Sequence, residues 1–344
     1  MIDIDGSTGE GGGQVLRTCL SLSLITTTAF HISNIRAGRK KPGLSAQHLK
    51  AVEAATRIGK ASVEGAHLRS TSLYFSPRKI NPGNFKIEIG TAGSTSLVLQ
   101  SICIPLCLAD ANSKITITGG THVRWSPSFD YLKHNWSAFI NKIGYDVSLD
   151  LQSAGFYPQG GGQIVANIRP SKSINPLNLT ERGSLIQIRG YSSVANLNRK
   201  IAIRQRQQVL RRLGDRYKLN DIRIIDLEAR TKGTTICLIC EFEHSQCCYF
   251  ALGELGKPAE KVADEVIDQI EKFLATDAAI DEFLADQILL PLSIAENKST
   301  FTTAKITNHL ITNAKVIEQF LPVSIYINGT LNSPGLVTIE PNPI

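Results

Sequence analysis

The stretch Val15-Leu-Arg-Thr-Cys-Leu-Ser-Leu-Ser-Leu-Ile25 recurs as Val98-Leu-Gln-Ser-Ile-Cys-Ile-Pro-Leu-Cys-Leu108 and, more loosely, as Ala285-Asp-Gln-Ile-Leu-Leu-Pro-Leu-Ser-Ile-Ala295. Three copies of one apolar helix signal a repeated supersecondary unit. Aligned on Pro105 and Pro291, the copies place Arg17, Gln100 and Asp286 at one equivalent helix position. These are polar residues where the rest of each helix is apolar, so the repeat points all three at one centre.

The segments downstream of each copy repeat as well. After the first come a strand at His31 to Arg36, a helix at Ser45 to Ile58 and short strands near Ala61 to Glu64 and Ser72 to Phe75. After the second come Ile115 to Thr118, a helix at Phe129 to Ile143, then Tyr145 to Leu149 and Gln163 to Ile168. After the third come Thr300 to Lys305, a helix at His309 to Phe320, then Ser324 to Ile327 and Leu336 to Glu340. With the preceding strands Ile2 to Asp5 and Phe85 to Ile89, each unit reads as βαβαββ from alternating and helical apolar periods. The second helices align through His48-Leu49-Lys50, Tyr131-Leu132-Lys133 and His309-Leu310-Ile311, which makes His48 and His309 equivalent.

Residues 184–280 fit none of the units. They hold a strand, a basic helix (Lys200 to Arg212), three further strands (Ile222 to Leu227, Thr235 to Phe242, Cys247 to Leu252) and an acidic amphipathic helix, Ala259 to Leu274. About a hundred residues is an ordinary domain size. The expected organisation is therefore an α/β (α+β) protein with a domain of three βαβαββ repeats over 1–183 and 281–344, and a smaller α/β domain inserted over 184–280. The basic helix is expected to present an exposed cationic face, at most a nonspecific RNA surface.

Composition narrows the class. Charged residues are 19% and hydrophobic residues 42% of 344, without disordered, collagenous or coiled-coil character. The 37 Lys+Arg exceed the 30 Asp+Glu, a net charge of +7 that favours acidic partners such as nucleic acid or nucleotides. The longest apolar run, Leu97 to Ala109, is too short to cross a bilayer, and Met1 to Gly13 has no secretory pattern. No membrane partner and a cytoplasmic location are expected. Seven cysteines, an odd number, suit reduced thiols. Cys237-x-x-Cys240 lies in a strand-like run that sends its two thiols to opposite faces, which argues against a zinc site.

Glycine clusters at Gly6 to Gly13 and Gly90 to Gly93 stand between a strand and a helix start, where backbone N–H groups favour anions, although tight turns also use such glycines. A carboxylate in the first loop, Glu10, makes sense as a ligand for a divalent cation. The run Arg36-Ala-Gly-Arg-Lys-Lys-Pro-Gly-Leu-Ser-Ala-Gln-His48 sets four cations ahead of a helix N-terminus, suited to a polyphosphate or an RNA end, or else to a solvated basic loop. His309 follows candidate capping residues Thr307 and Asn308. The repeat points it at the centre shared by Arg17, Gln100, Asp286 and His48. A histidine beside a carboxylate suits a nucleophile or general base.

Together these segments resemble the RNA 3'-terminal phosphate cyclase family over nearly the whole chain. Gly155-Phe-Tyr-Pro-Gln-Gly-Gly-Gly162 is similar to that family's signature. Asp5-Gly...Gly9-Glu-Gly-Gly-Gly-Gln-Val-Leu-Arg17, Arg36 to Gly43, Gln47-His48, Leu284-Ala-Asp-Gln287 and His309-Leu-Ile-Thr-Asn313 match in order. The resemblance implies a fold of three repeats like the C-terminal domain of bacterial translation initiation factor three, related to the enolpyruvyl transferases. It also implies ATP as co-substrate, Mg2+ or Mn2+, and RNA 3'-phosphate ends as partners; a homodimer remains open. The implied activity is conversion of an RNA 3'-phosphate to a 2',3'-cyclic phosphate through histidine-AMP and an RNA-adenylate anhydride.

Carried to this chain, the resemblance makes His309 the nucleophile with Asp286 beside it. Gln100, the run Phe283, Leu284, Ala285, Asp286 and Gln287, and Pro127 contact ATP, with Phe283 stacking on adenine. Arg17, Arg36, Arg39, Gln47 and His48 hold phosphates or the RNA end, and Glu10 holds the metal. Two positions depart from the pattern. Ala154 stands where a basic residue usually opens the signature, weakening a phosphate contact, and Phe283 replaces a tyrosine. The loop Thr121 to Ser128 also diverges. The rival readings are a non-cyclising ribosomal RNA processing relative, which lacks the nucleophilic histidine, and an enolpyruvyl transferase.

Overall fold

The computed structural model describes residues 1–342 and is a mixed α/β structure. The first sheet holds β1 (Ile2–Asp5), β2 (Phe30–Ser33), β3 (Ser62–Glu64) and β4 (Leu73–Ser76) in the order β1-β2-β4-β3. Strands β1 and β2 are parallel, so a crossover must join them, and helix α1 (Gln14–Thr26) supplies it. Helix α2 (Ala46–Gly59) then leads into the antiparallel pair β3–β4.

The second sheet repeats that strand order. It holds β5 (Asn84–Glu88), β6 (Ser113–Gly119), β7 (Asp146–Ser153) and β8 (Gly162–Arg169) as β5-β6-β8-β7, with α3 (Thr95–Cys107) as the first crossover. The next helical segment runs from α4 (Phe129–Tyr131) through a π stretch (Leu132–Trp136) into α5 (Ser137–Lys142). Pro105 inside α3 cannot donate to the Ser101 carbonyl four residues back. The Ser21 hydroxyl of α1 donates there at 2.7 Å, so the proline's missing donor becomes a bond between helices.

After β9 (Asn178–Leu179) the chain leaves for a separate sheet of β10 (Leu185–Ala195), β11 (Leu219–Asp226), β12 (Gly233–Phe242) and β13 (Gln246–Leu252), ordered β11-β10-β12-β13. Helices α6 (Lys200–Leu213) and α7 (Ala259–Leu274) cover one face around Val209, Leu238, Tyr249, Val262 and Ile267, an apolar cluster distinct from the main core. The chain returns through α8 (Glu282–Gln287) and α9 (Leu289–Leu292) to β14 (Ser299–Thr303), then α10 (Asn308–Phe320), β15 (Val323–Gly329) and β16 (Gly335–Pro341). Strand β9 pairs in parallel with β14, giving a third sheet β9-β14-β16-β15 in the same order as the first two. The separate sheet thus arises inside a unit whose first strand precedes it.

The structure revises one expectation and narrows another. The third apolar copy is not one helix, since α8 and α9 meet at Ile288, and Pro291 disfavours an unbroken helix through Gln287. The basic helix α6 is cationic and exposed at Lys200, Arg206 and Arg211, but part of its charge is taken up within the protein. Arg204 binds Glu260 with both forks at 2.8 and 2.6 Å, and Arg212 binds Asp264, Asp268 and Glu271 at 3.2, 2.8 and 2.8 Å. Positions 204, 208 and 212 share one helix face, and the acidic face of α7 meets it, with Gln208 donating to Asp264 at 2.6 Å.

Within β12, Cys237 packs with Cys248 and Tyr131, and its sulfur is 3.3 Å from that of Cys248. Cys240 faces the other way, into the α6–α7 core opposite Cys247. Main-core residues Leu16, Leu99, Leu284 and Leu310 pack α1, α3, α8 and α10 together. That packing brings the N-terminal turns of α1 and α10 to one cavity.

Candidate active site

Thr307 accepts from the Leu310 N–H at 3.1 Å and starts α10, which puts His309 in its first turn. The His309 ring lies between two carboxylates. Its Nε2 is 3.0 Å from Glu10 Oε2 and its Nδ1 is 3.6 Å from Asp286 Oδ2. Asp286 raises the imidazole above its usual pKa, burial opposes this, and Glu10 adds to it. Gln14 Nε2 donates to Asp286 Oδ2 at 2.8 Å and to the His309 carbonyl at 3.2 Å, while Asn313 donates to the Asp286 carbonyl at 2.9 Å. Asn313 is four residues past His309, on the same helix face.

The cavity around this ring has a volume of about 910 Å³. Arg17, Arg36, Arg39, Gln47, His48, Gln100, Pro127, Phe283, Asp286, Gln287, Glu10 and His309 all line it. Burial pulls Arg17 down to about 10, with Asp286 opposing, so it stays cationic at neutral pH. His48 is different. Burial first, then Arg17, Arg36 and Arg39, push it down to about 3, so it is a neutral hydrogen-bonding ring and not a fourth cation. Its Nδ1 is 2.6 Å from Ser45 Oγ. The ring tip fills the space of a Gly13 Cβ, which would lie 1.9 Å from Nε2, so glycine is needed there. A Cβ on Gly9, at φ +67°, would lie 2.0 Å from the Thr312 hydroxyl. The glycine loop is therefore pressed between α2 and α10.

Arg39 reaches Glu10 at 3.6 Å. Arg36 adopts φ +57° and uses one nitrogen to bind the Lys41 and Gly43 carbonyls at 3.0 and 2.7 Å, which pins the basic loop. Gln47 accepts from the Ser94 N–H at 2.7 Å, tying the first unit to the start of α3. Gln100 donates to Gln287 at 2.6 Å. The Phe283 ring is half exposed and edge-on to Tyr249 of β13, with centroids 6.3 Å apart.

Leu284 and Ala285 do not join this lining. Both side chains are fully buried in the core, because α8 is amphipathic and turns its 283, 286 and 287 positions to the cavity. Ala154 also lies elsewhere. It packs in a small buried cluster with Phe156 and Ala195, and its N–H donates to the Glu228 carbonyl at 2.7 Å, so the alanine removes no side chain from the cavity.

A profile of the family described as RNA 3'-terminal phosphate cyclase matches residues 8–327. The chain belongs to this family. An RNA 3'-terminal phosphate cyclase of Ralstonia nicotianae is 42% identical over 342 residues, covering 99% of this chain and 97% of the relative. Those of Gloeothece citriformis and Nostoc punctiforme are 40% and 41% identical over 335 residues, each covering 95% of this chain and 96% of the relative. Solved EPSP synthase of Acinetobacter baumannii aligns with 97% of this chain and 64% of its own at 10% identity and a TM-score of 0.31. The enolpyruvyl transferase NikO of Streptomyces tendae aligns with 97% and 80% at 8% identity and a TM-score of 0.25. Those two likenesses are too slight to bear on the fold.

Membership makes this chain an RNA 3'-terminal phosphate cyclase, an enzyme with ATP as co-substrate. Among the described residues no three His, Cys, Asp or Glu side chains form a metal cage, and no helix is long and apolar enough to cross a membrane. A lone carboxylate such as Glu10 suits a cation held mainly by substrate phosphates, the usual habit of Mg2+. Gln14 and Asn313 lie within the sequence motifs, which give them no role, and the cavity also has a wall built by Cys248, Tyr249 and Phe250 of β13 that no motif marks. Helical spacing from Arg17 and His309 could have found the first two. Nothing local marks the wall.

Proposed function

We propose that His309 is the nucleophile through which this RNA 3'-terminal phosphate cyclase takes AMP from ATP. The supporting observation is the ring held between Asp286 and Glu10 in a cavity lined by Arg17 and Arg39. Asp286 holds a proton on Nδ1, and Nε2, once its own proton has passed to Glu10 3.0 Å away, attacks the α-phosphorus as the bond to pyrophosphate breaks. The positive charge that develops on the ring is balanced by Asp286. An oxygen of the RNA 3'-phosphate then attacks the AMP phosphorus, the P–N bond breaks, and neutral His309 is restored. The ribose 2'-hydroxyl attacks the RNA phosphorus, loses its proton and expels AMP, closing the 2',3'-cyclic phosphate.

Arg17 and Arg39 lie where they can hold the transferring phosphates, with neutral His48 and Gln47 alongside as hydrogen-bonding groups. Phe283 is the stacking surface for adenine, with Pro127 opposite and Gln100 and Gln287 at the edge. The main chain around Leu284 and Ala285 shapes that pocket from behind. A divalent Mg2+ or Mn2+ at Glu10, when bound, would add positive charge beside the phosphates. On this reading residues 1–183 and 281–344 form the catalytic domain of three βαβαββ repeats and 184–280 an inserted domain. The requirement for a 2'-hydroxyl restricts the substrate to RNA, and seven buried free thiols suit the cytoplasm.

Incubation with α-labelled ATP and a divalent metal tests the proposal. Acid-labile label on the wild type that is absent from His309→Ala supports it. A wild type that cyclises RNA 3'-phosphate without taking up label overturns the covalent step.

A further inference from the structure

The chain has two tryptophans, and they stand in opposite environments. Trp136 is 1% exposed within the main core. Trp125 is 95% exposed although it lines the cavity that holds His309, so its ring stands at the mouth of that cavity. It also has φ +62°, a left-handed conformation that is uncommon for a bulky residue and stores strain.

The loop that carries Trp125 is closed and tethered. Phe129 N–H donates to the Thr121 carbonyl at 2.9 Å across its base, and Ser126 Oγ donates to the Val123 carbonyl at 3.2 Å. Ser128 caps α4 by accepting from Tyr131 N–H at 3.2 Å. Next to the tryptophan, Arg124 forms an ion pair with Glu254, which follows β13. A strained backbone, pinned on both sides, thus holds a large apolar ring out in water beside a cavity lined by Arg17, Arg36 and Arg39. Packing gives no reason for it.

We propose that Trp125 is a stacking platform for a base of the RNA substrate near its 3' end. An aromatic face binds any base without reading its edge, which suits an enzyme that must accept an RNA end whatever its sequence. The ATP adenine is the less apt occupant. In the arrangement proposed for ATP it lies between Phe283 and Pro127 with Gln100 and Gln287 at its edge, whereas a chain entering from solvent must pass the rim. The platform rests on the proposed function only for the nature of the substrate, so the two can fail separately.

The test has two arms. Without ATP, tryptophan fluorescence is titrated with a short single-stranded oligoribonucleotide ending in a 3'-phosphate. Quenching is expected in the wild type and in Trp136→Phe, and no response in Trp125→Phe, because buried Trp136 does not meet the RNA. With ATP, Trp125→Ala is expected to raise KM for that RNA about tenfold. The same variant should leave the thermal midpoint and the ATP-only labelling of the protein unchanged, with Trp125→Phe restoring most of the RNA affinity. An unchanged KM for RNA, absence of quenching, or a loss of ATP labelling as large as the loss in RNA use would each overturn the platform. Failure of the wild type to label with ATP would instead overturn the covalent mechanism, and the fluorescence arm would still decide the platform.

Discussion

Gln14 and Asp286 are joined by a 2.8 Å hydrogen bond, and the same Gln14 nitrogen also reaches the His309 carbonyl at 3.2 Å. One amide at the start of α1 thus holds both the carboxylate and the main chain of the histidine beside it. Gln14→Ala is expected to slow ATP labelling of His309 by about tenfold, since a hydrogen bond to a charged group contributes about 1.5–3 kcal/mol. A labelling time course at saturating ATP checks this, and the folded state should be little changed.

Asp286→Asn keeps the shape but cannot balance an imidazolium or hold the same Nδ1 proton. Labelling should fall on the order of ten-thousandfold, as when an orienting carboxylate is neutralised in other histidine-dependent enzymes. The comparison to make is Asp286→Asn against Gln14→Ala, with the first clearly the slower.

Phe283 and Leu284 are neighbours with opposite duties. Phe283→Ala should raise KM for ATP and leave the thermal midpoint alone, because its ring is half exposed in the cavity. Leu284→Ala should cost about 2–5 kcal/mol of stability, because its side chain is fully buried in the core. Urea denaturation of both variants separates the effects.

Asp281 caps α8 and accepts from Tyr131 at 2.9 Å and Asn135 at 2.7 Å in complete burial. Burial pushes its carboxyl up to about 7, and the Glu282 charge adds to this, while its hydrogen-bond donors pull back. Its folded value is therefore above its unfolded one, and the folded state keeps a proton that the unfolded chain has lost. That contribution to stability is complete below about pH 4 and is lost as pH rises through about 7. Wild-type stability measured relative to Asp281→Asn should decline across this window by on the order of 3 kcal/mol. A difference that stays flat with pH would contradict it.

Arg212 is committed to three carboxylates of α7. Its replacement by Ala should lower stability by about 1 kcal/mol, an effect that salt diminishes. The salt dependence of RNA binding should not change. Replacement of Arg39 should make that dependence shallower, because it faces the cavity.

The spacing of one apolar helix and its odd polar residue is enough, from the sequence alone, to bring Arg17, Gln100 and Asp286 to one centre, and the alignment of the second helices adds His48 and His309. Such symmetry survives because every copy must bury the same face. Less was legible where a contact depends on distant chain. The partners of Arg204 and Arg212 lie 56 residues or so along the sequence, so all of α6 looked like a free cationic surface. Strand β9 has only two residues, too few for an alternating pattern, and the third unit therefore looked as if it began after the separate sheet. An apolar run such as Phe283-Leu-Ala also hides which side chains turn inward.

The pairing of β9 with β14 bears on how the protein is made. Thr302 of β14 donates to the Thr180 carbonyl, a closure across 122 residues. During synthesis the first two sheets can assemble, and with them Glu10, Arg17, Arg39 and His48, while the third sheet waits for its partner strand. A ribosome-bound chain would thus present the residues proposed to hold phosphate well before the histidine proposed to react, so the proposed site can be complete only after the last sheet has closed.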